Sequence, residues 1–531
     1  MRHVVLETSG NQRFVFDSNR LAENMGASEI LHQLGVGYSV SAIRKYNDRF
    51  DPNKLQDAQA NGPIEKGNEV EVLLLTSGKA EILVKNKQIG IDIISNVTAK
   101  AAKEAPGLQV FGAMSEEFDF GTKFLPDAIM DTYAKLEEIK SKRSLHSARF
   151  LRVPVAAECG TSGLPASVAG KNFLLSDVSA AKLAAANDHR GRMSRLLLDA
   201  GMKPCRNIDD LEKQMERERW MAIIHADGNG FGRIFMKFHE LIGASAPEDN
   251  RRYVETIRRF SRRVDTCARS ALVAALKETF LTKDTEDSEH KDRGVIIPIV
   301  PLIWDGDDVT VLCMGGGSLE FTASYLRHYE ELTANVVGEF FGEGGRRLFS
   351  GGHLGMCAGV AIVKPHFPFH SAYRLAEQLV ESAKSKVKQH PDGLGVSGLD
   401  FHVLRDSVMV DLAAKRKELV VSDGTACLRL YGGPYLIGYR EEVLGMGRWD
   451  NLLTAVESLV APDGGLASGM VHDLRASLFY GPKYAEEFWK AVLKRRGIDG
   501  SEFWHLFVEK RDECAATLFI DALDVAELKS Y

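Results

Sequence analysis

Residues 304–313, WDGDDVTVLC, contain a tight DGDD turn that separates the apolar run PIVPLIW from the apolar run VTVLCMG. Two apolar runs around a short turn with glycine predict a β-hairpin whose tip carries Asp305, Asp307 and Asp308. Upstream, the stretch MAIIHADGNGFG places Asp227 just past the apolar core of another predicted strand. These carboxylates are therefore predicted to face one another on neighbouring strands. Hard oxygen ligands in that arrangement favour a divalent cation such as Mg²⁺ or Mn²⁺.

Each of these aspartates also has a purely structural interpretation. Asp is a preferred helix N-cap, so Asp227 has an alternative role as the cap of the helix predicted after it. Asp-Gly is a common turn pair, so DGDD alone is also typical of an ordinary hairpin. Adjacent strand residues point to opposite faces, so Asp307 and Asp308 are expected to differ in their roles. Asp305, at the turn itself, is expected to be solvated. The combination of Asp227 with the hairpin favours metal binding.

A glycine-rich turn follows Asp227. Glycine lets the backbone approach a phosphate closely, and the start of the next predicted helix offers free N–H groups to a triphosphate. Such a turn alone is weak support for phosphate binding. The predicted nucleotide-binding residues of this turn are Gly228, Asn229, Gly230, Phe231 and Gly232.

Composition and charge describe a chain of 531 residues that is 44% hydrophobic and 26% charged, with a formal net charge of −6. This net charge gives no overall attraction to nucleic acid, although a local basic surface is compatible with it. The seven cysteines are scattered and include no CxxC pair, which predicts reduced thiols and a cytoplasmic location. The sequence has no signal-peptide pattern and no run of about 18 apolar residues, so no membrane span is expected.

The order of predicted elements in residues 1–109 recurs in residues 216–404. Both regions follow the order β-α-β-β-α-β, which is that of the ferredoxin-like split unit. When the two regions are aligned by residue type, the carboxylates of the second copy are Asp227, Asp307 and Asp308. The residues at the aligned positions of the first copy are Ser9, Lys79 and Ala80. The sequence therefore predicts a duplicated module whose first copy lacks the acidic residues.

This organisation predicts an α+β fold with two ferredoxin-like domains in tandem, followed by an α-helical C-terminal domain. Helical spacing in residues 449–460 and 484–494 indicates the helical tail. The predicted domains are 1–109, a degenerate first copy; 110–215, a mixed linker; 216–415, the copy that carries the acidic residues; and 416–531, the α-helical domain.

Four segments of the second copy carry a resemblance to a known family. They are HADGNGFGRIF (225–235), WDGDDVTVL (304–312), GMCAGVAIVKPHFPFHSAYRLAEQLVESAKSKVK (355–388) and SGLDFHVL (397–404). The second copy resembles the palm of nucleotidyl cyclases and polymerases. More closely, the chain resembles the large polymerase-like subunit of type III CRISPR effector complexes and the stand-alone CRISPR polymerases. The resemblance covers roughly residues 1–415 and implies two palm domains, the first degenerate and the second catalytic.

The resemblance implies an enzyme, a metal-dependent nucleotidyltransferase that acts in antiviral defence. It would convert ATP, or another NTP, to a cyclic or short linear oligonucleotide second messenger and release pyrophosphate. Its catalytic and metal-binding residues would be Asp227, Asp307 and Asp308, with Asp308 the stronger ligand, and its cofactor would be Mg²⁺ or Mn²⁺. Lys384, on the last predicted palm helix, would contact the triphosphate. An RNA or protein activator is compatible with this function, and the oligomeric state is left open.

The chain departs from that family in two places. It has no paired His-Asp run of a nuclease domain. The zinc ribbon expected between the palms is reduced to AECGTSGLPA (157–166), where Cys159 and Ser162 stand in a CxxS spacing without a second pair. We therefore expect a zinc-ribbon remnant without structural zinc. Both departures favour a stand-alone protein.

Two other functions stay open on the sequence. One is a catalytically silent palm-type scaffold that binds nucleotide or RNA in a defence complex. The other is a GGDEF-like diguanylate cyclase, which is disfavoured because no RxxD motif precedes the turn. The arginine-rich helix 251–269 is expected to present a solvated face rather than to contact RNA.

Overall fold

The structure, a computed structural model, describes residues 1–142, 155–215, 219–281, 294–349, 351–390, 393–405, 411–424, 426–438, 443–460, 466–495, 497–511 and 514–529. Its elements form a mixed α+β architecture, which confirms the predicted fold class at that level. Within these ranges, none of the helices combines the length and the apolarity required to cross a membrane.

The first module is a four-stranded sheet with flanking helices. Alternate side chains of its hairpin enter two different hydrophobic cores, Leu73 and Leu83 on one side and Val72 and Ile82 on the other. The sheet has the strand order β2-β3-β1-β4. The elements are β1 (Arg2–Ser9), α1 (Asn11–Phe16), α2 (Leu21–Gln33), α3 (Ser39–Ile43), β2 (Val70–Thr76), β3 (Lys79–Val84), α4 (Lys87–Glu104) and β4 (Gln109–Met114).

A joining region follows, and its longest helix packs along the first module. The elements are α5 (Leu125–Ser141), β5 (Val168–Ala169), β6 (Leu174–Leu175), α6 (Asp177–Leu198), β7 (Met202–Pro204) and α7 (Ile208–Gln214). Helix α6 runs against α2 so closely that a Cβ on Gly26 would lie 1.6 Å from the carbonyl oxygen of Lys182. Only glycine permits this approach, so the contact between the two helices is fixed by the sequence at Gly26.

The second module repeats the arrangement in a larger sheet. The elements are β8 (Met221–Gly228), α8 (Phe231–Met236), α9 (Phe238–Leu241), α10 (Asn250–Phe280), β9 (Val295–Ile297), β10 (Ile299–Asp305), β11 (Asp308–Met314), α11 (Ser318–Leu348, interrupted at Gly342), β12 (Met356–Val363), α12 (Phe369–Val387) and β13 (Ser397–Val403). The order β10-β11-β8-β12 corresponds strand for strand to the sheet of the first module, and β13 adds to it. Alternate residues of β8 again enter two cores, Ile224 and Ala226 with α10 and α11, and Ile223 with α12 and the first module.

Two backbone features relate the modules residue by residue. Gly10 and Gly230 both adopt left-handed φ angles, 69° and 66°, and each directly precedes the first helix of its module. The first strand of each hairpin has a register shift at the same distance before the turn, one after Val72 and one after Pro301. The modules therefore share local backbone as well as strand order, as the predicted duplication requires.

This correspondence corrects the alignment made on the sequence. Glu7 pairs with Lys79 in the first module as Asp227 pairs with Asp308 in the second. The sequence alignment was wrong by two residues in the first strand and by one in the hairpin, because it matched residue types rather than the left-handed glycine. The counterparts of Asp227, Asp307 and Asp308 are therefore Glu7, Gly78 and Lys79, and not Ser9, Lys79 and Ala80.

The corrected counterparts give the first module a different charge arrangement. Glu7 retains a carboxylate at the position of Asp227, and Lys140 binds it at 2.6 Å. Lys79 places an ammonium group where the second module has the carboxylate of Asp308, and Glu81 binds that ammonium at 3.1 Å. The first module thus carries its own cation at this position.

The C-terminal region is less uniformly helical than predicted. Besides helices, the described residues of this region form the four-stranded sheet β14-β15-β19-β18, and its strands β16 and β17 extend the sheet of the second module. The elements are α13 (Leu412–Glu418), β14 (Val420–Ser422), β15 (Cys427–Arg429), β16 (Tyr435–Ile437), β17 (Gly447–Arg448), α14 (Trp449–Val460), α15 (Ser468–Ser477), α16 (Pro482–Lys494), α17 (Gly500–Phe507), β18 (Val508–Arg511), β19 (Cys514–Thr517) and α18 (Phe519–Lys529). A disulfide joins Cys427 and Cys514 at adjacent strands of the small sheet, so the prediction of reduced thiols is wrong for this pair.

The arginine-rich face of α10 is only partly solvated, contrary to the prediction. Arg258 is buried and donates to Glu71 Oε1 at 2.6 Å and to the carbonyl of Val72 at 2.7 Å, both in the first module. Arg251 binds the same Glu71 and also Glu65. Because Glu71 is fully buried, these guanidinium groups compensate a charge that would otherwise be costly, and they join the two modules.

We predict that Arg258→Ala lowers the free energy of unfolding by about 3–5 kcal/mol, because it removes one partner of a buried charge pair and leaves Glu71 undercompensated. Arg252 is a matched control on the same helix, since its side chain is 51% exposed and it pairs with Asp249. Arg252→Ala is expected to cost no more than about 1 kcal/mol. Guanidinium chloride titrations followed by circular dichroism measure both variants. Equal losses in the two variants would contradict a special role for the buried pair.

Candidate active site

Two neighbouring strands place the predicted carboxylates side by side. Asp227 lies near the end of β8, Asp308 begins β11, and the two residues are direct partners in the antiparallel ladder. Partners in such a ladder have Cα atoms about 4.5–5.5 Å apart, so both side chains can reach one coordination sphere. Asp307 lies in the turn, and its carbonyl accepts a 3.2 Å hydrogen bond from the N–H of Gly228. The structure therefore brings the three predicted catalytic carboxylates together.

One face of the sheet carries Asp308 together with a histidine that the sequence analysis did not single out. His225 is two residues before Asp227, and Thr310 is two residues after Asp308, so strand alternation puts all four on this face. His225 Nδ1 lies 3.1 Å from Thr310 Oγ1 and 3.5 Å from Asp308 Oδ1. Burial lowers the pKa of His225 to about 4, so the imidazole is neutral at physiological pH. A neutral ring beside Asp308 adds no positive charge to offset that carboxylate.

Asp307 lies toward the opposite side, against α11. Burial, and then the charge of Asp307, raises the pKa of Tyr329, and Asp307 also adds to the raised pKa of Tyr325. Both tyrosine hydroxyls are buried and have no hydrogen-bond partner among the residues that the structure describes. Asp308 also contributes to the raised pKa of Tyr325, so the two adjacent aspartates share part of their surroundings.

The carboxylates of the site perturb one another. Burial, and then the neighbouring Asp227, raises the pKa of Asp307 to about 6. Burial followed by the charges of Asp227 and Asp307 raises the pKa of Asp308 well above its ordinary value. Lys384 acts in the opposite direction on both. Negative charge therefore exceeds positive charge at the site, which favours the binding of a cation.

Lys384, on α12, supplies positive charge to the site. Its ammonium binds the carboxylate of Asp227 and donates a 3.1 Å hydrogen bond to the carbonyl of Gly228. The side chain of Lys384 is 16% exposed and that of Asp227 is 39% exposed, so the pair is open to solvent on one side. The residue predicted to contact a triphosphate is thus bound to the residue predicted to bind metal. A triphosphate contact would require Lys384 to exchange partners.

Two glycines allow the turn after β8 to pack against the hairpin. A Cβ on Gly228 would lie 2.4 Å from the ring of Phe231 and 2.9 Å from Cβ of Asp307. Gly230 has the left-handed φ of 66°, and a Cβ there would lie 2.2 Å from Leu394. The sequence predicted these glycines for phosphate binding, and the structure adds a steric reason for both.

Two predicted nucleotide-binding residues, Asn229 and Gly232, have surroundings that do not involve the acidic side chains in the interactions described below. Asn229 is buried, and its side-chain amide donates to the carbonyl of Val396 at 2.6 Å. Its backbone N–H donates to the carbonyl of Gly355 at 3.0 Å. Gly232 is exposed, and a Cβ there would meet no atom within 4 Å. Asn229 therefore has a structural role in the turn, and a nucleotide contact of either residue stays a prediction.

The oxygen donors of the site fit a hard divalent cation. Asp308 Oδ1 is buried and accepts no hydrogen bond from any described residue. Within the same part of the chain, no three His, Cys, Asp or Glu side chains form a ready-made metal cage. Mg²⁺ is commonly held by one or two carboxylates and completes its octahedron with water and substrate phosphates. Asp227 and Asp308 match that mode of binding.

Asp305 is only partly exposed and is ion-paired, so the prediction that it is solvated is wrong. Its side chain is 10% exposed, and Oδ1 lies 3.2 Å from Arg192 Nη1 and 3.4 Å from His32 Nδ1. Burial alone would raise the pKa of Asp305, but His32 and Arg192 lower it to about 2. The prediction failed because the hairpin tip packs against α2 and α6 instead of projecting into solvent.

The sequence analysis missed His225 and Arg192 for different reasons. His225 could have been found, because it precedes Asp227 by two residues and so shares its face. Arg192 carries no local signal, because it stands 113 positions before its partner Asp305. Only the packing of α6 against the hairpin brings them together.

Comparisons with known proteins give no match among protein-family models and none among curated proteins. Solved structures do match. The Csm1–Csm4 cassette in complex with cA3 shares 13% sequence identity and a TM-score of 0.53, over 99% of this chain and 69% of that chain. The cassette in complex with cA4 shares 12% identity and a TM-score of 0.51, over 99% and 70%. Csm1 in T. onnurineus shares 13% identity and a TM-score of 0.50, over 99% and 69%.

The likeness extends over nearly the whole chain, including the C-terminal region for which the sequence offered no motif. It shows that this chain shares the fold of Csm1. The resemblance to the large polymerase-like subunit that the sequence predicted is therefore confirmed at the level of the fold. At 12–13% identity the likeness does not carry an activity to this chain.

We predict that Asp307→Asn stabilises the protein in the absence of divalent ions, with a melting temperature about 1–2 °C higher at pH 7.5. The folded state raises the pKa of Asp307 from 3.8 to about 6, so folding favours its protonated form. This carboxylate consequently reduces stability as the pH rises from about 4 to 6, and the reduction persists above pH 6. The neutral side chain of asparagine does not ionise, so the variant avoids this loss of stability.

Calorimetry in EDTA at pH 7.5 and pH 5.0 measures the effect, which should be smaller at pH 5.0. Asp450→Asn, at an exposed position of α14, is the control and should leave the melting temperature unchanged at both pH values. A melting temperature of Asp307→Asn below that of the wild type at pH 7.5 would show that the carboxylate is not under electrostatic strain.

Proposed function

We propose that this protein is a metal-dependent nucleotidyltransferase that joins ATP molecules into a cyclic or short linear oligonucleotide and releases pyrophosphate. The observation that carries the proposal is the pairing of Asp227 with Asp308 across β8 and β11, with Asp307 beside them in the turn. The two modules would then be palm domains, of which the second is catalytic. A second messenger in antiviral defence is the biological role that fits such a product.

The proposed reaction is an in-line transfer of a nucleotidyl group. A 3′-hydroxyl oxygen forms a bond to the α-phosphorus of a second nucleotide, and the bond between that phosphorus and the bridging oxygen to the β-phosphate breaks. The hydroxyl proton passes to solvent, and pyrophosphate leaves. Asp227 and Asp308 would hold Mg²⁺ or Mn²⁺, which when bound lowers the pKa of the hydroxyl and offsets charge on the phosphates.

The residues of the chain have distinct roles in this proposal. Lys384 lies one hydrogen bond from Gly228, so release from Asp227 would leave its ammonium free to offset charge on the β- and γ-phosphates. The tight packing at Gly228 and Gly230 keeps the turn close to the hairpin tip, where the phosphates would lie. Neutral His225 lies 3.5 Å from Asp308 Oδ1 and would not compete with the metal as a cation.

Adenine nucleotides are the proposed substrates because the Csm1–Csm4 cassette has been solved with pppApA, with pppApApA and with cA3 and cA4. These ligands span linear and cyclic adenylates. The cassette also supports a complex with another protein as the working form, and an RNA or protein activator fits that form. The first module, with Lys79 in place of an acidic residue, would bind the acceptor nucleotide without turning it over.

We predict that purified protein incubated with ATP and Mn²⁺ releases pyrophosphate and forms oligoadenylate, and that Asp308→Ala lowers the rate at least about 100-fold, because it removes a principal metal ligand. Mass spectrometry identifies the product and its ring size. Asp249→Ala is the matched control, since Asp249 lies outside the site and pairs with Arg252. A product that persists in Asp308→Ala would rule out the proposed catalytic role.

Competing ATP with GTP in the same assay distinguishes the proposed activity from that of a diguanylate cyclase. We expect adenylate products to dominate. A catalytically silent scaffold predicts a different outcome, in which Mg²⁺ and ATP raise the melting temperature but no pyrophosphate appears, with or without added RNA.

We predict that Lys384→Met raises the KM for ATP about tenfold, because a charge-assisted contact to phosphate contributes about 1.5–3 kcal/mol. Lys384→Arg should recover part of the loss, since it restores the positive charge. Arg374→Met, an exposed cation on the same helix, is the control and should leave KM unchanged. Steady-state rates over a range of ATP concentrations measure the effect. An unchanged KM in Lys384→Met would remove Lys384 from the proposed nucleotide site.

A further inference from the structure

Helix α6 of the joining region contacts the strand that leads into the acidic turn. His189, which is fully buried on α6, lies with Nε2 3.1 Å from the carbonyl oxygen of Pro301 on β10. Pro301 is at the position where the register of β10 against β11 shifts. Burial lowers the pKa of His189 to about 4, so the ring is neutral and donates this hydrogen bond through Nε2–H. The first contact of α6 thus supports the irregular part of the hairpin.

The second contact, three residues further along α6, reaches the turn. Arg192 donates from Nε to Glu29 Oε2 at 2.9 Å and from Nη1 to Asp305 Oδ1 at 3.2 Å. His32 Nδ1 lies 3.4 Å from the same oxygen of Asp305. The side chains of Arg192, Glu29 and Asp305 are 14%, 4% and 10% exposed. One guanidinium fork therefore joins the first module, the joining region and the second module.

A third contact reaches the turn from α10. The N–H of Gly306 lies 3.4 Å from Asp265 Oδ1 on α10, and Asp265 pairs with Arg269 at 3.1 Å. Asp305 and Gly306 are therefore held by different helices, immediately before Asp307. A displacement of α6 would be transmitted to the acidic residues through one or two peptide units.

We propose that Arg192 is a positioning residue that sets the orientation of Asp307 and Asp308 by clamping Asp305, and that α6 is the element through which the joining region controls the site. The inference rests on the proposed function, because it assigns Arg192 to that same site. Among the described residues, the carboxylates that Arg192 binds are Glu29 and Asp305, so its influence on the site would pass through Asp305.

The chemistry of arginine explains the choice of residue. Its planar fork makes two directed hydrogen bonds at once, whereas a lysine ammonium in the same place reaches one partner well. A misplacement of catalytic groups by about 1 Å can reduce a rate about 100-fold. Loss of these two hydrogen bonds should therefore reduce kcat more than it changes substrate affinity, since Lys384 lies on α12 and the glycine turn follows β8.

The experiment compares the wild-type chain with Arg192→Ala, Arg192→Lys, Asp305→Asn and Arg195→Ala. Arg195 is an exposed arginine on the same helix and serves as the matched control. Hydrogen–deuterium exchange reports on peptides that cover residues 299–314, with peptides of the small C-terminal sheet as an internal reference. Steady-state kinetics with ATP and Mn²⁺ give kcat and KM separately. Asp305→Asn keeps the shape of the turn and tests the clamp if Arg192→Ala does not fold.

We expect about tenfold faster exchange at residues 299–314 in Arg192→Ala and Asp305→Asn, with the reference sheet and Arg195→Ala unchanged. We also expect kcat to fall about 10- to 100-fold with KM within about threefold, and Arg192→Lys to recover part of the rate. Unchanged exchange at the hairpin, or an equal increase in the reference sheet, overturns the inference. Wild-type protein that makes no product, with or without added RNA, refutes the proposed function instead, and the exchange data then still decide whether Arg192 positions the hairpin.

Discussion

The register between β8 and β11 is the constraint on which the rest of the site depends. It sets Asp227 opposite Asp308, and the two-residue turn then leaves Asp307 no position other than beside them. Because side chains alternate along a strand, a slip of one residue would turn every acidic and apolar side chain of β11 to the wrong face. Burial of Val309 and Val311 against α10 and α11 therefore maintains both the core and the placement of the acidic groups.

Negative charge is concentrated around this pair of residues. The carboxylates of Asp227, Asp307 and Asp308 lie together, and the ammonium of Lys384 and the neutral ring of His225 lie close to them. Such an arrangement is unfavourable by itself, since each carboxylate disfavours the ionisation of its neighbours. The surrounding structure maintains it through contacts outside the acidic cluster, at Asp305, Gly228 and Gly230. A site that stores electrostatic strain in this way is typical of functional centres.

The sequence was sufficient for features that are local and failed for those that depend on distant packing. The hairpin, the strand ending at Asp227 and the long helices follow from periodicity and turn chemistry within short windows. Asp305 binds Arg192, and Glu71 binds Arg258. In each pair the two residues are more than 100 positions apart in the sequence, so no local pattern indicates the contact. The small C-terminal sheet was missed because its strands have three or four residues each. The alignment of the modules failed because the backbone conformation of Gly10, rather than its neighbours' identities, marks the equivalent position.

Lys79 gives the two modules different dependence on their surroundings. The second module presents carboxylates at this position, and any positive charge that offsets them has to come from Lys384 or from solution. The first module instead has an amine attached covalently to its own backbone and bound to Glu81. No chelator can extract that ammonium group. The cation at this position of the first module is therefore part of the polypeptide and does not depend on the supply of ions.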